Sequence, residues 1–493
     1  MKKKYCSIVS KNMISWKIMS ICLLSAVYLM SVSSVCAQYF GRNKVQYETF
    51  DFKVLKTEHF KVHYYPDEEK AVQDAARMFE RWYYRHYNIL NTPLTGHIPV
   101  ILYANHADFQ QTNTISGLVP QGTGGVTEGL MNRIILPLTG AYTENDHVIG
   151  HELVHAFHYD LMKKSAVGIR ASRQIPTWFI EGMAEYMSLG RHDTHTAMWL
   201  RDAVLHEDVP TIEQISTEAK YFPYRYGHAL WSYFTARRGN SVILPFYKSV
   251  LDSGWVQGVK LFTGFSLDSL SHNWQRAVRA VYRPHLSGRQ KPDQFSNPVI
   301  TGYGGTNLSP VISPDGEKIA FLSTKDIFTL DLFLADAHTG EIIKKLASSN
   351  TDSHFDALRF MQSSGAWSPD GNKFAFVVYR KGDNGIVIMN VPEDDIQQVL
   401  SFEQLNSVMS LDWSPDGNSL VISGISGGIC DLFLYNIQND SLSKLTNDRY
   451  AELQPDWSPD GKTIVFCTDR GPETNFQELD YGNMRLGFMD LKT

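Results

Sequence analysis

The apolar positions in the first part of the chain follow two periods. Runs typical of strands lie at Phe60–Tyr65, Pro99–Tyr103 and Arg133–Leu138. Apolar residues at helical spacing predict a helix from Glu68 to about Tyr87. From about Glu144 to Tyr282 the pattern is mostly helical. We therefore predict an α+β domain over residues 38–286, with a small mixed β-sheet and a helical subdomain.

The last part of the chain repeats one short string four times. The copies are ISPDGEKIAFLS from Ile312, WSPDGNKFAFVV from Trp367, WSPDGNSLVISG from Trp413 and WSPDGKTIVFCT from Trp457. Their serines, at positions 313, 368, 414 and 458, are 55, 46 and 44 residues apart. In each copy, proline presets the first central position of a turn, and Asp-Gly closes a tight connection between strands. Such periods predict propeller blades.

With these repeats, residues 299–493 resemble the TolB-type β-propeller. Third strands of the first three blades are predicted at Asp331–Ala335, Ile386–Asn390 and Asp431–Tyr435. The sequence stops just after the apparent third strand of blade four, so we expect an all-β propeller of about four blades with an incomplete last blade. A fragment of a longer protein and a chain that has lost further blades would both end in this way. The polar segment 287–298 contains two prolines and is predicted to be a linker.

The first 37 residues have the pattern of an export signal. Five lysines precede an apolar stretch from Ile18 to Val32, and Val35 and Ala37 occupy the two positions that a signal peptidase reads. The alternative is an uncleaved membrane anchor, because the apolar stretch approaches spanning length. We expect an exported protein, in the periplasm, in the outer envelope or outside the cell, which meets a membrane only if the signal stays uncleaved.

Charge and cysteine content narrow the range of partners. The segment 1–37 holds five of the 46 basic residues and no acid, so the rest of the chain has 41 basic and 52 acidic residues and a net charge of −11. This balance disfavours a nucleic-acid partner. Cys430 and Cys467 are the two cysteines beyond this segment, and both lie in apolar runs. We expect two buried thiols rather than a disulfide framework.

The string His151-Glu152-Leu153-Val154-His155 is the strongest chemical signal in the chain. Residues four apart share one face of a helix, so His151 and His155 can both reach one Zn²⁺. Glu152 then lies beside the metal, where it can take a proton from a bound water. Asn145 or Asp146 is expected to cap this helix. The alternative is an ordinary helix that carries the pattern by chance.

A second string, PTWFIEGMAEYMS from Pro176 to Ser188, places Glu181 26 residues after His155. A catalytic zinc needs a third protein ligand and leaves its fourth position for water. Together, HELVH and WFIEGMAEY resemble the gluzincin metallopeptidases, the clan of thermolysin and aminopeptidase N, and within it the peptidase-MA-like branch. The resemblance spans about Asp51 to Tyr282. It implies a single Zn²⁺ held by His151, His155 and Glu181.

The resemblance also suggests residues around the ligands. Glu185, four residues after Glu181, would accept the other ring N–H of a ligating histidine; the alternative is a solvated glutamate. For the donor that stabilises the oxyanion, Tyr226 is the first candidate and His228 the second, and aromatic packing at a helix start is the alternative. His158 lies two helical turns from His151, about 10 Å along the axis, and is not expected to be a ligand.

One departure from the clan bears on specificity. Its aminopeptidases carry a G-x-M-E-N string that binds the free amine of the substrate, and residues 122–138 contain no such string, although Glu128 is present. Endopeptidase activity is therefore favoured. We also expect the strand around Ile134–Leu136 to lie at the edge of the cleft and to pair with an extended peptide.

The predicted function is zinc-activated hydrolysis of a peptide or protein substrate, with Glu152 as the general base. The alternative is a non-catalytic binding or scaffold protein that holds a protein or a cell-envelope ligand on its propeller, because fold alone does not establish activity. A third interpretation gives the propeller a gating role that limits substrates to short or unfolded peptides.

Overall fold

The structure, a computed structural model, describes residues 46–117, 119–166, 168, 174–300, 305–326, 329–348, 357–358 and 365–491. The predicted signal in residues 1–37 lies outside them. The chain divides into two compact units. Of the first (Met1–Gln46 and Gln111–Leu118), Gln46 and residues 111–117 are described; there the Thr112 and Thr114 hydroxyl oxygens are 2.8 Å apart. All elements below belong to the second unit.

A five-stranded mixed sheet begins the second unit. Its strands are β1 (Lys53–Lys56), β2 (Phe60–Tyr64), β3 (Ile98–Tyr103), β4 (Val126–Glu128) and β5 (Arg133–Pro137). They lie in the order β1-β2-β3-β5-β4; β2, β3 and β5 are parallel to one another, and the two edge strands are antiparallel to their neighbours. Ile134–Leu136 is therefore internal and fully buried, not at the cleft edge as predicted. The edge strand on that side is β4.

Ten helices in the described residues surround and follow this sheet. They are α1 (Glu69–Leu90), α2 (His106–Gln110), α3 (Tyr142–Lys164), α4 (Thr177–Leu189), α5 (Thr194–Leu205), α6 (Ile212–Thr217), α7 (Pro223–Thr235), α8 (Ile243–Ser253), α9 (Trp255–Thr263) and α10 (Leu267–Tyr282). Short 3-10 turns lie at Pro66–Glu68, Gly239–Val242, Arg283–Leu286 and Pro292–Gln294. None of the described helices has the length and apolar character that crossing a bilayer requires.

The start of α3 differs from the prediction. The helix begins at Tyr142, so Asn145 and Asp146 lie within it and do not cap it. Tyr142 is buried, and its hydroxyl donates a hydrogen bond to Asp74 Oδ2 at 2.9 Å. The side chain of Asn145 instead accepts a hydrogen bond from the backbone N–H of Thr139 at 2.9 Å. Tertiary contacts of the first turn therefore extend the helix toward its N-terminus, beyond the capping residues predicted from the sequence.

The C-terminal region consists of four antiparallel sheets in chain order. Their strands are β6 (Asn307–Ile312), β7 (Lys318–Ser323), β8 (Asp331–Asp336) and β9 (Ile342–Ser348); β10 (Ala357–Leu358), β11 (Ala366–Trp367), β12 (Lys373–Arg380), β13 (Asp383–Asn390) and β14 (Asp395–Leu400); β15 (Ser407–Trp413), β16 (Ser419–Ser426), β17 (Ile429–Asn436) and β18 (Ser441–Lys444); and β19 (Glu452–Trp457), β20 (Thr463–Thr468) and β21 (Arg485–Asp490). The fourth sheet has three strands in the described part of the chain, which agrees with the incomplete last blade predicted from the repeat.

The repeated SPDG string forms the same turn in all four blades. The serine hydroxyl donates to the aspartate two residues later, at 2.5, 2.6, 2.6 and 2.7 Å in blades one to four. The glycine follows with a φ between 67° and 79°, a left-handed conformation that glycine adopts without steric cost. The local chemistry of the repeat therefore fixes the connection between the first two main strands of each blade.

The propeller packs against the α+β domain through main-chain and side-chain contacts. The N–H of Cys430, on β17, donates to the carbonyl of Gly140 at 3.0 Å, in the loop before α3. A Cβ on Gly140 would lie 2.8 Å from the Cβ of Cys430, so this close approach needs glycine. Ile429 and Leu479 of the C-terminal region belong to the same apolar core as α1 and α3.

The predicted linker and thiols can also be located. Residues 287–298 are exposed throughout, and their one regular feature is the 3-10 turn at Pro292–Gln294. Cys430 is buried and Cys467 is partly buried, and no disulfide joins them.

Candidate metal centre

Helices α3 and α4 bring His151, His155 and Glu181 together. The Nε2 atoms of the two histidines are 3.1 Å apart, and Glu181 Oε2 lies 3.2 Å from His151 Nε2 and 3.1 Å from His155 Nε2. The three side chains come from two helices, and Glu181 is 26 residues from its nearer partner. Three potential ligand atoms therefore converge on one point.

The spacing of these atoms fits a zinc ion. Ligands about 2.0–2.1 Å from a tetrahedral zinc are separated from one another by about 3.4 Å. The observed separations of 3.1–3.2 Å are slightly below that value. Two neutral imidazoles and one carboxylate are also ligands that zinc prefers. These residues would hold the ion and leave one coordination position open.

The opening faces a cavity of about 690 Å³. Its walls include the three predicted ligands and Glu152. They also include residues 122–127, of which Val126 and Thr127 belong to β4. Because β4 is the edge strand of the sheet, an extended chain could pair with it beside the metal position. The cavity therefore has space for a water and a peptide.

The local sequence explains how the two helices are held. The buried face of α3 carries Ile149, Leu153 and Phe157, which turn the histidines toward α4. Helix α4 starts directly after Pro176 and ends at Gly190, which has a φ of 80°. A glycine directly after the last helical residue is a common signal that ends a helix.

Helix α7 lies against α4 at a close crossing between two glycines. A Cβ on Gly182 of α4 would lie 2.3 Å from the carbonyl carbon of Gly227 of α7, and a Cβ on Gly227 would lie 2.3 Å from the carbonyl oxygen of Trp178. These clashes would be with backbone, which cannot move aside as a flexible side chain can. The pair of glycines therefore brings α7 to the metal centre.

Glu185 is buried between three basic side chains. Its Oε1 lies 3.0 Å from His151 Nδ1 and 3.5 Å from His147 Nε2, and its Oε2 accepts from Arg225 Nη1 at 2.8 Å. With 3% exposure, it is not the solvated glutamate of the alternative prediction. The carboxylate is placed to orient the ring of His151.

The pKa values around the ligands reflect this charge pairing. Burial lowers the pKa of His151, but its contacts with Glu181 and Glu185 raise it more, to about 10. Burial raises the pKa values of Glu181 and Glu185, yet the neighbouring histidines hold both well below their usual range. The carboxylates are therefore ionised, and a cation at this point would replace a proton on the histidine.

Glu152 is held against the edge strand by a residue that the sequence prediction missed. The Thr127 hydroxyl on β4 lies 2.7 Å from Glu152 Oε2 and 2.8 Å from the Glu152 carbonyl oxygen. A Cβ on Gly125 would lie 2.9 Å from Glu152 Cγ, so glycine is needed there. The string GGVTEG could have indicated this contact. A glycine and a threonine two residues apart on an extended segment share one face, so both can lie against the same side chain.

The structure does not bring Tyr226 or His228 to the metal centre. Tyr226 is 5% exposed and packs among Trp199, Tyr221 and Trp274, and burial raises its pKa to about 12. The ring of His228 donates to the carbonyl of Gly190 at 2.8 Å, and burial lowers its pKa. Both predictions are therefore wrong as to position, and the alternative of packing holds.

Tyr224 occupies the place for which Tyr226 and His228 were proposed. Its ring stacks on that of His151, with centroids 5.9 Å apart and an interplanar angle of 14°. Burial raises the pKa of its hydroxyl, and the charges of Glu181 and Glu152 raise it further. Helix phase could have identified it: Tyr224 is three residues before Gly227 and shares the face that packs on α4.

His158 lies behind the ligands. Its Nδ1 is 3.4 Å from His155 Nδ1, and its ring stacks on Tyr247 with centroids 4.9 Å apart. It is 1% exposed, and burial holds its pKa well below the usual value. The ring therefore contacts the back of His155 and is not among the three converging ligand atoms.

Comparisons with known proteins bear on the C-terminal region. The family model of the TolB β-propeller domain matches residues 358–485. Comparison with curated proteins gives no match. Among solved structures, a TolB candidate from Agrobacterium tumefaciens is 20% identical, covers 39% of this chain and 65% of its own, and has a TM-score of 0.32. TolB from Acinetobacter baumannii is 19% identical, with coverages of 45% and 58% and a TM-score of 0.33.

The family match agrees with the four antiparallel sheets of the C-terminal region. The C-terminal region is a TolB-type β-propeller with an incomplete fourth blade, preceded by a mixed α/β and helical region. The chain spans 65% and 58% of the lengths of the two TolB structures.

Proposed function

We propose that the chain is a zinc-dependent peptidase. The observation that carries the proposal is the convergence of His151, His155 and Glu181 within 3.2 Å of one another, beside the carboxylate of Glu152 and an open cavity. When bound, zinc would act as a Lewis acid and lower the pKa of a bound water to about 7.

Glu152 is the proposed general base. It would accept a proton from the attacking water and pass it to the leaving amine. The Thr127 hydroxyl contacts both the carboxylate and the main-chain carbonyl of Glu152. It can donate to the ionised carboxylate, or accept from the protonated carboxyl while it donates to the carbonyl. Both protonation states of Glu152 would therefore keep one position.

Tyr224 replaces Tyr226 and His228 as the proposed oxyanion donor. Tyr224 lines the same cavity as Glu152. Its raised pKa keeps the phenol protonated, so that it can donate a hydrogen bond.

The proposal favours internal peptide bonds. Glu128, the one acid in the stretch that would correspond to an amine-binding string, accepts from the N–H groups of Leu130 and Met131 at 2.6 and 3.0 Å and pairs with Arg133 at 3.3 Å. Its carboxylate is committed to the turn between β4 and β5. We also place the protein outside the cytoplasm, because residues 1–37 have the pattern of an export signal.

The test compares wild-type protein with Glu152→Gln and with the exposed-site control Glu213→Gln. We expect zinc-loaded wild type and Glu213→Gln to hydrolyse unfolded casein, a chelator to stop both, and Glu152→Gln to lose activity about a hundredfold or more while keeping its zinc. Full activity of Glu152→Gln would refute the proposed mechanism.

The second candidate function is a cell-envelope binding or scaffold protein that acts through its propeller. The family match to the TolB propeller favours this candidate over the first, since it falls on the C-terminal region. If zinc-loaded wild type shows no more hydrolysis than Glu152→Gln, the binding function replaces the peptidase.

A further inference from the structure

A second cavity, of about 280 Å³, adjoins the metal-site cavity. The two share Gly122, Thr123, Gly124, His147 and Val148 in their walls. The second cavity lies farther along α3 toward its N-terminus, between the end of β5, α3 and the propeller. A chain bound at the metal could therefore reach it without leaving the protein surface.

The propeller supplies one wall of this second cavity. Tyr379 comes from blade two, and Ser407, Met409 and Ile425 come from blade three. Tyr379, Met409 and Ile425 are 7%, 8% and 2% exposed. Leu138 and Val148 contribute apolar groups from the α+β domain. The lining therefore suits an apolar group, and methionine adapts to groups of different shape.

The wall is fixed relative to the metal centre. Ile425 packs at Gly140, where an added Cβ would lie 2.9 Å from its Cγ1, and the neighbouring Cys430 is hydrogen-bonded to the Gly140 carbonyl. Gly140 is two residues before the first residue of α3, the helix that carries His151 and His155. The propeller wall and the metal ligands are thus held by one short segment.

The helix gives the distance between the two cavities. Val148 and Glu144 lie one and two turns before His151, so the far end of the second cavity is about 10 Å along α3 from the metal ligand. An extended peptide rises about 3.3 Å per residue. Consider a peptide that pairs with β4 and has the bond to be cleaved at the metal. The residue three positions from that bond would therefore lie in the second cavity.

We propose that the second cavity is a substrate subsite in which the propeller receives an apolar side chain about three residues from the cleaved bond. The cavity volume is just below the range of about 300–1,000 Å³ for small-molecule pockets, which suits one side chain rather than a whole ligand. This inference rests on the proposed peptidase function and extends it: the substrates are peptides or unfolded proteins with an apolar residue at that position, and the propeller takes part in their selection.

The test measures peptide binding without hydrolysis. Full-length, zinc-loaded Glu152→Gln is titrated, by fluorescence anisotropy, into labelled short peptides of alanine and glycine in which Ala, Leu or Phe is placed at each position in turn. We expect one position at which Phe or Leu tightens Kd about tenfold over Ala. Adding Met409→Ala should reduce this preference about fivefold or more, because the apolar wall is lost.

Met389→Ala is the matched control. Met389 is also a buried propeller methionine, at 2% exposure, but it lies in the apolar core shared by blades one and two and not in the cavity wall. It should leave the preference unchanged. If Met409→Ala fails to fold, as judged by thermal unfolding, Met409→Gln keeps nearly the same size and should also reduce the preference, since it adds a polar amide.

The outcomes separate the subsite from the peptidase. A preference that does not respond to Met409, no preferred position, or no peptide binding at all would overturn the subsite. A preference that depends on Met409, together with no hydrolysis by wild type, would keep the subsite and refute the peptidase. Hydrolysis that depends on Glu152 but not on Met409 would do the reverse.

Discussion

The propeller turns and the metal centre depend on contacts between residues at different separations along the chain. In the turn of blade three, Ser414 bonds to Asp416 two residues away, and the same arrangement occurs in every blade. In the metal centre, Glu181 meets His155 across 26 residues, and Arg225 meets Glu185 across 40. Local chemistry that is repeated is easily recognised, whereas single long-range contacts are not. The family match accordingly falls on the propeller.

The largest expected effect is the loss of bound zinc when a ligand of the metal centre is removed. His155→Ala should reduce bound zinc from about one ion per chain to almost none, because two protein ligands cannot hold a catalytic zinc firmly. The measurement is elemental analysis after dialysis against a metal buffer.

His158→Gln, three residues along the same helix, is the control. It should retain its zinc, since His158 contacts the back of His155 and not the converging ligand atoms. Equal loss from both variants would mean that the ion does not lie between His151, His155 and Glu181.

The next effect is expected at the crossing of α4 and α7. Gly227→Ala should destabilise the fold by about 3 kcal/mol, the upper end for overpacking, because the added methyl would meet backbone atoms. It should also weaken zinc binding, since Glu181 lies on α4. Urea unfolding and zinc titration measure the two effects. Gly122→Ala, which meets no atom within 4 Å, is the control, and a loss as large as that of Gly227→Ala would contradict this explanation.

The smallest effect is expected in a propeller turn. Asp416→Ala should cost about 1 kcal/mol, because Ser414 and Asn418 lose their acceptor. These hydrogen bonds hold the pKa of Asp416 below its usual value, and the bond from Ser414 has the largest effect. Its contribution is therefore present above the unfolded-state pKa and is lost as pH falls through the folded-state pKa. Urea unfolding of both proteins at neutral and acid pH should show the gap closing in acid.

Additivity sharpens the contrast between the two regions. Asp370→Ala and Asp416→Ala lie in separate turns, and their costs should add within about 0.5 kcal/mol. His155→Ala and Glu181→Ala should each remove most of the zinc alone, so the second substitution adds little. Strong coupling between the two turns would show that the repeats are not independent.

The same contrast explains which elements could be predicted from the sequence. The strand at Phe60–Tyr65 appears as β2 at Phe60–Tyr64, and the predicted helix appears as α1 at Glu69–Leu90. The short edge strands β1 and β4 were missed, because three or four mixed residues show no period and are defined by their neighbours. Their pairing is a tertiary property.

Within the site, the sequence motifs were sufficient for the three ligand residues and insufficient for the side chains that packing between elements places around them. The spacing of His151 and His155, and the Glu181 string, identified side chains that the structure brings together. The choice of Tyr226 and His228 failed because it ignored the rotation of α7 that the close contact of Gly227 imposes. Thr127 was missed because only the sheet places β4 beside α3.

The apolar core shared by Ile429, Leu479 and helix α1 has a consequence for how the chain unfolds. Ile429 and Leu479 complete a core that is otherwise formed by the α+β domain, so heat or denaturant should disrupt both halves in a single cooperative transition. A protein cut after residue 298 would expose the surface that these side chains cover and would tend to aggregate. Catalytic and binding assays therefore require both halves in one polypeptide.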